Sequence, residues 1–88
     1  MIDLSSYEAA ARVAPLARAE GRVEKVVGLL VEISGLRAAV GRELEIDLPV
    51  RRVTLEVIGF RDDRLLAAPL GPTSGISPGD RVRLRTSE

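Results

Sequence analysis

Alternation of apolar and charged side chains is clearest in ELEIDL, residues 43–48. Leu44, Ile46 and Leu48 fall on one face and Glu43, Glu45 and Asp47 on the other, the period-two pattern of a half-buried strand. RVTLEVIGF, residues 52–60, repeats it, setting Val53, Leu55 and Val57 against Thr54, Glu56 and Ile58, with Gly59 inviting a bend. Residues 23–33 are nearly continuous in apolar side chains and are predicted as one strand curled by a bulge or bend at Gly28. RLLAAPL at 64–70 supplies a fourth strand, in which Pro69 belongs at an edge or a bulge. DRVRLRT at 80–86 supplies a fifth, with Val82 and Leu84 facing in and Arg81, Arg83 and Arg85 facing out.

Turn chemistry separates these runs. RDDR, with Asp62 and Asp63 at its tip, reads as a tight hairpin, and SPGD places Pro78 and Gly79 at the central positions of a type II turn. Ahead of the strands, Ser5 and Glu8 have the spacing of a capping box. The alanine-rich SYEAAARVA then propagates a helix over residues 6–14, which Pro15 ends or kinks. Its apolar stripe, Leu4, Tyr7, Ala11 and Ala14, is thin. Such a helix either lies against its own domain or has its packing completed by a second protein. The expected architecture is mainly β: a small closed barrel of five or six strands, preceded by a short α-helix and closed because a barrel leaves no long unpaired edge.

Length and composition narrow what this fold can do. Eighty-eight residues make at most one domain, which buries only roughly 60% of the surface its unfolded chain exposes and so benefits from a partner. Thirteen basic and thirteen acidic side chains give zero net charge, removing the long-range field that favours nucleic acid or an anionic membrane. Two aromatics, Tyr7 and Phe60, offer little to stack bases. The chain has no histidine or cysteine, and so lacks the commonest metal ligand and general base as well as a thiolate nucleophile. Asp3, Glu8 and Arg12 interrupt what a signal peptide would need as an apolar core, and no run approaches a membrane span; a cytoplasmic location with no direct membrane insertion is expected.

Two features tempt a chemical reading. GPTSGISPGD is glycine-rich, but Pro72 and Pro78 remove backbone donors and no Gly-Lys-Ser/Thr follows, so a connecting loop and turn is expected rather than a phosphate cradle. Asp62 and Asp63 at a hydrated hairpin tip have no further carboxylates at metal-ligand spacing. More informative are two stripes, basic Arg81, Arg83 and Arg85 and acidic Glu43, Glu45 and Asp47. They pair either with a neighbouring copy or across strands within one copy.

GRVEKVVGLLVEISGLRAAVGRELEI followed by LEVIGFRDDRLLAAPLGPTSGISPGDRVRL resembles the N-terminal domain of the flagellar protein export ATPases and their type III secretion relatives, cousins of the catalytic subunits of rotary ATP synthases. The likeness covers residues 21–84. Its specific pieces are Gly-Arg-Val at 21–23, Val-Gly-Leu at 27–29, Glu-Val-Ile-Gly-Phe at 56–60, Pro-Leu-Gly at 69–71 and Gly-Ile-Ser-Pro-Gly at 75–79. The resemblance implies a barrel that sits on an ATPase domain, helps to join six subunits in a ring, and works at the export apparatus on the cytoplasmic side of the inner membrane. It also implies that the preceding helix, through Leu4, Tyr7 and Ala11, meets a stalk-like regulator. Residues 1–20 are then helix and lead-in, 21–86 the barrel, and 87–88 the place where an ATPase domain would begin. ATP and Mg²⁺ belong to that absent domain, so no catalytic, cofactor or metal residue is expected here. The chain is either a domain excised from such a protein or a stand-alone barrel binding protein or single-stranded nucleic acid.

Overall fold

The computed structural model describes residues 20–86; the helix expected at 6–14, with Leu4, Tyr7 and Ala11, lies outside them. Six antiparallel strands follow in order, β1 Glu20–Val27, β2 Leu30–Ser34, β3 Glu43–Asp47, β4 Arg52–Arg61, β5 Arg64–Pro69 and β6 Arg81–Leu84. They close into a barrel in the order β1-β2-β5-β4-β3-β6. The expected mainly β barrel is found, with six strands.

The run at residues 23–33 is not one bent strand. Val27 pairs with Leu30, making Gly28 and Leu29 a two-residue hairpin loop, with Gly28 at φ 62. Two-residue loops with a positive φ at the first central position match the right-handed twist of the strands they join, and glycine reaches that φ freely. A continuous apolar run cannot by itself distinguish a bent strand from two strands and a turn.

The curling lies elsewhere. Register shifts between Val23 and Lys25 in β1 and between Val57 and Gly59 in β4 mark two bulges, each adding one residue and reversing the inside-outside alternation beyond it. The first lets Val23 and Val26, three apart, both meet the core. The second sets Phe60 opposite the buried Leu65.

Leu44 and Ile46 from β3, Val53, Leu55 and Val57 from β4, and Val82 from β6 are buried, and Leu48 and Leu84 pack against them, as the alternation requires. Two connections close the ends. The segment 35–42 crosses from β2 to β3 with Leu36 buried, and the loop 70–80 crosses from β5 to β6 with Ile76 against the core. Arg51 holds that second loop, donating to the carbonyl oxygens of Pro72 at 3.1 Å and of Ser74. The Pro78–Gly79 turn is present, with Asp80 N donating to Ser77 O at 3.1 Å.

Closure depends on close approach at Gly21. A Cβ there would lie 2.5 Å from the Ser34 carbonyl oxygen and 2.8 Å from Leu36 Cβ, so β1 cannot reach β6 and still accommodate the crossing segment with a larger residue. We expect Gly21→Ala to destabilise the barrel by about 2–3 kcal/mol through overpacking. Gly28→Val, forced into the left-handed region in open space, should destabilise by about 1–3 kcal/mol. Gly59→Ala, whose Cβ would meet nothing within 4 Å, should stay within about 0.5 kcal/mol of the parent. Urea unfolding midpoints at constant slope would rank the three; a Gly21→Ala midpoint equal to that of Gly59→Ala would remove this account of closure.

Candidate functional site

The two charged stripes meet on the outside of the barrel because β6 lies beside β3, with Glu45 directly opposite Arg83. Arg83 Nη2 donates to Glu45 Oε1 at 3.0 Å and Nη1 to Asp47 Oδ2 at 2.6 Å. Arg85 Nη1 donates to Glu43 Oε1 at 2.8 Å, and its Nε lies 3.5 Å from Glu45 Oε2. Arg52, opposite Asp47 in the β3–β4 ladder, closes the row with an Nε–Oδ1 bond of 2.9 Å. Of the two pairings the stripes allow, the cross-strand one within a single chain is formed, and Arg83, Arg85, Glu43 and Glu45 neutralise one another. Arg81 stands apart, opposite Arg22 in the β1–β6 ladder, in a cleft lined also by Glu20 and Asp47.

Hydrogen bonds donated by Arg83, and then by Arg52, hold the Asp47 carboxyl below its ordinary 3.8, and the Arg83 guanidinium is raised in turn by its bond to Asp47. Both side chains are substantially exposed, so water and salt screen the pair.

A second ionic cluster could not be seen as a stripe. Glu32 is buried although its side chain lies on the outer face, because Lys25, Arg61 and Arg64 surround it. Arg64 Nη1 donates at 3.0 Å, Arg61 Nη1 lies at 3.6 Å and Lys25 Nζ at 4.0 Å. Arg61 and Arg64 face each other across the β4–β5 hairpin, a like-charge pair that would repel without the carboxylate between them. Arg64 also lies 3.6 Å from Glu24, which accepts from Ser34 Oγ. One clue was available: Glu32 is the lone charge in GLLVEISGL.

The remaining candidates are apolar. Leu29 at the β1–β2 tip is 81% exposed, and Val27 beside it is also exposed. Where the β4–β5 hairpin overhangs the other end, Phe60 is 57% exposed above a groove of about 740 Å³ lined by Leu36, Ala38, Ala39 and Leu65, with Arg37, Asp62, Asp63 and Arg64 around it. Among the described residues no group of three or more acidic, histidine or cysteine side chains is arranged to hold a metal ion, and no helix is long and apolar enough to cross a membrane.

The domain is thus a closed barrel with a buried apolar interior, a largely self-neutralised surface and exposed apolar side chains at its hairpins. Residues 23–85 match the beta-barrel domain of the ATP synthase alpha/beta family, and the chain belongs to that family as its barrel domain. Individual relatives are flagellum-specific ATP synthases. The chain is 43% identical over 67 residues to that of Caulobacter vibrioides, covering 73% of this chain and 15% of the relative. With that of Salmonella typhimurium it shares 35% over 86 residues, covering 93% and 19%, and with that of Pseudomonas aeruginosa 41% over 68 residues, covering 72% and 15%. The chain thus spans less than a fifth of the length of these relatives.

Asp47 generates a pH prediction. Its carboxyl value is depressed by folding, so the stability it contributes is present above the ordinary value of 3.8 and is lost as pH falls through the lower folded-state value. Asp47→Asn should melt below the parent at neutral pH and lose less stability on acidification from about pH 5 to pH 2. Parallel melting curves for parent and variant across that interval would show that Asp47 does not contribute to the acid limb.

Proposed function

We propose that this chain is the oligomerisation and regulatory barrel of a subunit of a flagellum-type or related protein export ATPase, holding neighbouring subunits in register while ATP chemistry takes place in another domain. The observation that carries the reading is the combination of the family match over residues 23–85 with several flagellum-specific ATP synthases as individual relatives. The filled core supports it, because a structural collar needs a rigid body and a contact surface. In this reading the chain acts as one unit of a homo-hexamer on the cytoplasmic side of the inner membrane, and it binds neither ATP nor Mg²⁺ itself.

The self-neutralised stripes alter how subunits would meet. Glu43, Glu45, Arg83 and Arg85 satisfy one another within the chain, so they stabilise the barrel first and reach a neighbour only by exchanging partners. Arg81 and the apolar patches are better placed to contact one. Residues Leu4, Tyr7 and Ala11 are assigned to the stalk-like regulator, whose packing would complete their thin apolar stripe.

Replacing the aligned segment of the Caulobacter vibrioides flagellum-specific ATP synthase with residues 20–86 tests the reading directly. A functional collar should preserve hexamer formation in sizing experiments and flagellar motility in cells. A chimera that folds but neither assembles nor supports motility would overturn the proposal. The regulatory part is tested by deleting residues 1–19 from this chain and measuring its melting point and its binding to the cognate regulator. Regulator binding should be lost with a fall of only a few degrees in melting temperature; retained binding would move the regulator site onto the barrel.

A further inference from the structure

The Phe60 groove opens at the end of the barrel where the chain enters β1. Phe60 pairs with Leu65, Leu65 with Ile33 and Ile33 with Val23, so these four residues stand in one row across β4, β5, β2 and β1. Glu20 begins β1 three residues beyond that row, on the same side as Leu36 and the Asp62–Asp63 turn. The entering backbone lies against the crossing segment, since a Cβ on Gly35 would sit 3.8 Å from the Glu20 carbonyl oxygen, and Leu36 and Ala39 of that segment line the groove. At the usual strand spacing β5 is about 10 Å and β4 about 14 Å from β1. Residues 15–19, fully extended, reach up to about 17 Å. The stripe of Leu4, Tyr7, Ala11 and Ala14 that precedes them is therefore tethered within reach of Phe60.

We propose that residues 4–19 of the same chain fold back into this groove, with the Leu4, Tyr7 and Ala11 stripe against its apolar floor. Tethering selects this occupant over one arriving from solution, because a short flexible linker holds its segment at an effective concentration of about millimolar. Charge selects it as well. Arg64 is taken by Glu32 and Glu24, whereas Arg37, Asp62 and Asp63 on the rim enter no ion pair among the described residues. An uncharged guest such as the Leu29 tip would strip water from those three groups without replacing it. Residues 1–19 bring both signs, Asp3 and Glu8 with Arg12 and Arg18, so the rim charges exchange water for partners. The docked stripe is the one assigned above to the stalk-like regulator. On that reading the docked and regulator-bound states exclude one another, and the groove holds the stripe in reserve until the regulator displaces it.

Tyr7 is the chain's single tyrosine and there is no tryptophan, so fluorescence reads the segment directly. Acrylamide should quench Tyr7 in the full chain with a constant about half or less of that in a synthetic peptide of residues 1–19, and dilution should not change the difference. Ala39→Glu, on the exposed part of the groove floor, and Phe60→Asp should each restore peptide-like quenching, with amide dispersion confirming that the barrel stays folded. Docking of half the molecules or more withholds that share from the regulator, so the same variants should bind the cognate regulator about twofold or more tightly. Peptide-like quenching in the parent chain, or shielding that survives both variants, would overturn the proposal. Shielding lost on dilution would overturn it too, and would give the groove to a second copy. Shielding lost in both variants with regulator affinity unmoved upholds the docking and removes Leu4, Tyr7 and Ala11 as the regulator's site.

Discussion

Everything in this domain hangs on one four-residue strand. β6 hydrogen-bonds to β1 on one side and β3 on the other, and without it the sheet would be open along two edges. An open sheet of this size exposes unpaired backbone and half its apolar face; closed, it buries Val23, Leu44 and Val82 in a common interior. The closure is reinforced beyond the strand, where Val23 N donates to Asp80 O at 2.9 Å and Gly79 N to Val23 O at 2.7 Å. Gly21 provides the room, and the Pro78–Gly79 turn delivers the chain at the required angle. The Arg83 and Arg85 pairs then fasten the same strand from outside. Backbone, turn, glycine and surface charge converge on a single seam.

The division of labour between interior and exterior follows from that seam. Family membership places the chain among the beta-barrel domains of the ATP synthase alpha/beta family, and its surface charges are largely spent on one another. The charges on β3 and β6, and those around Glu32, are turned toward each other. The large apolar side chains left exposed include Leu29 and Phe60, where hairpins project beyond the closed sheet.

Much of the barrel was legible from residues alone because period-two alternation reports directly on a sheet with one face buried. Leu44, Ile46, Val53, Leu55 and Val57 all follow it. The hairpin at Gly28 was hidden because hydrophobicity does not change across it, and only backbone geometry distinguishes a turn there from a bend. The Phe60 groove was hidden for a related reason: one inserted residue at Ile58 decides which side Phe60 occupies, and a bulge leaves almost no signature in composition. The acidic and basic stripes were visible, but their partner was not, since strand order rather than strand sequence puts β6 next to β3. Glu32 and its cations come from four strands, β1, β2, β4 and β5, and no local window contains them.

Lodging β6 between two neighbours also sets how the domain responds to force. A pull directed along that strand loads its hydrogen bonds to β1 and β3 together, in shear, so they must fail as a group. A pull across it would open them one at a time, like a zip. The Arg83 and Arg85 ion pairs lie along the same seam and resist sliding in register. A domain with this seam is stiff along one axis and yielding along another, and its orientation decides which strain it transmits.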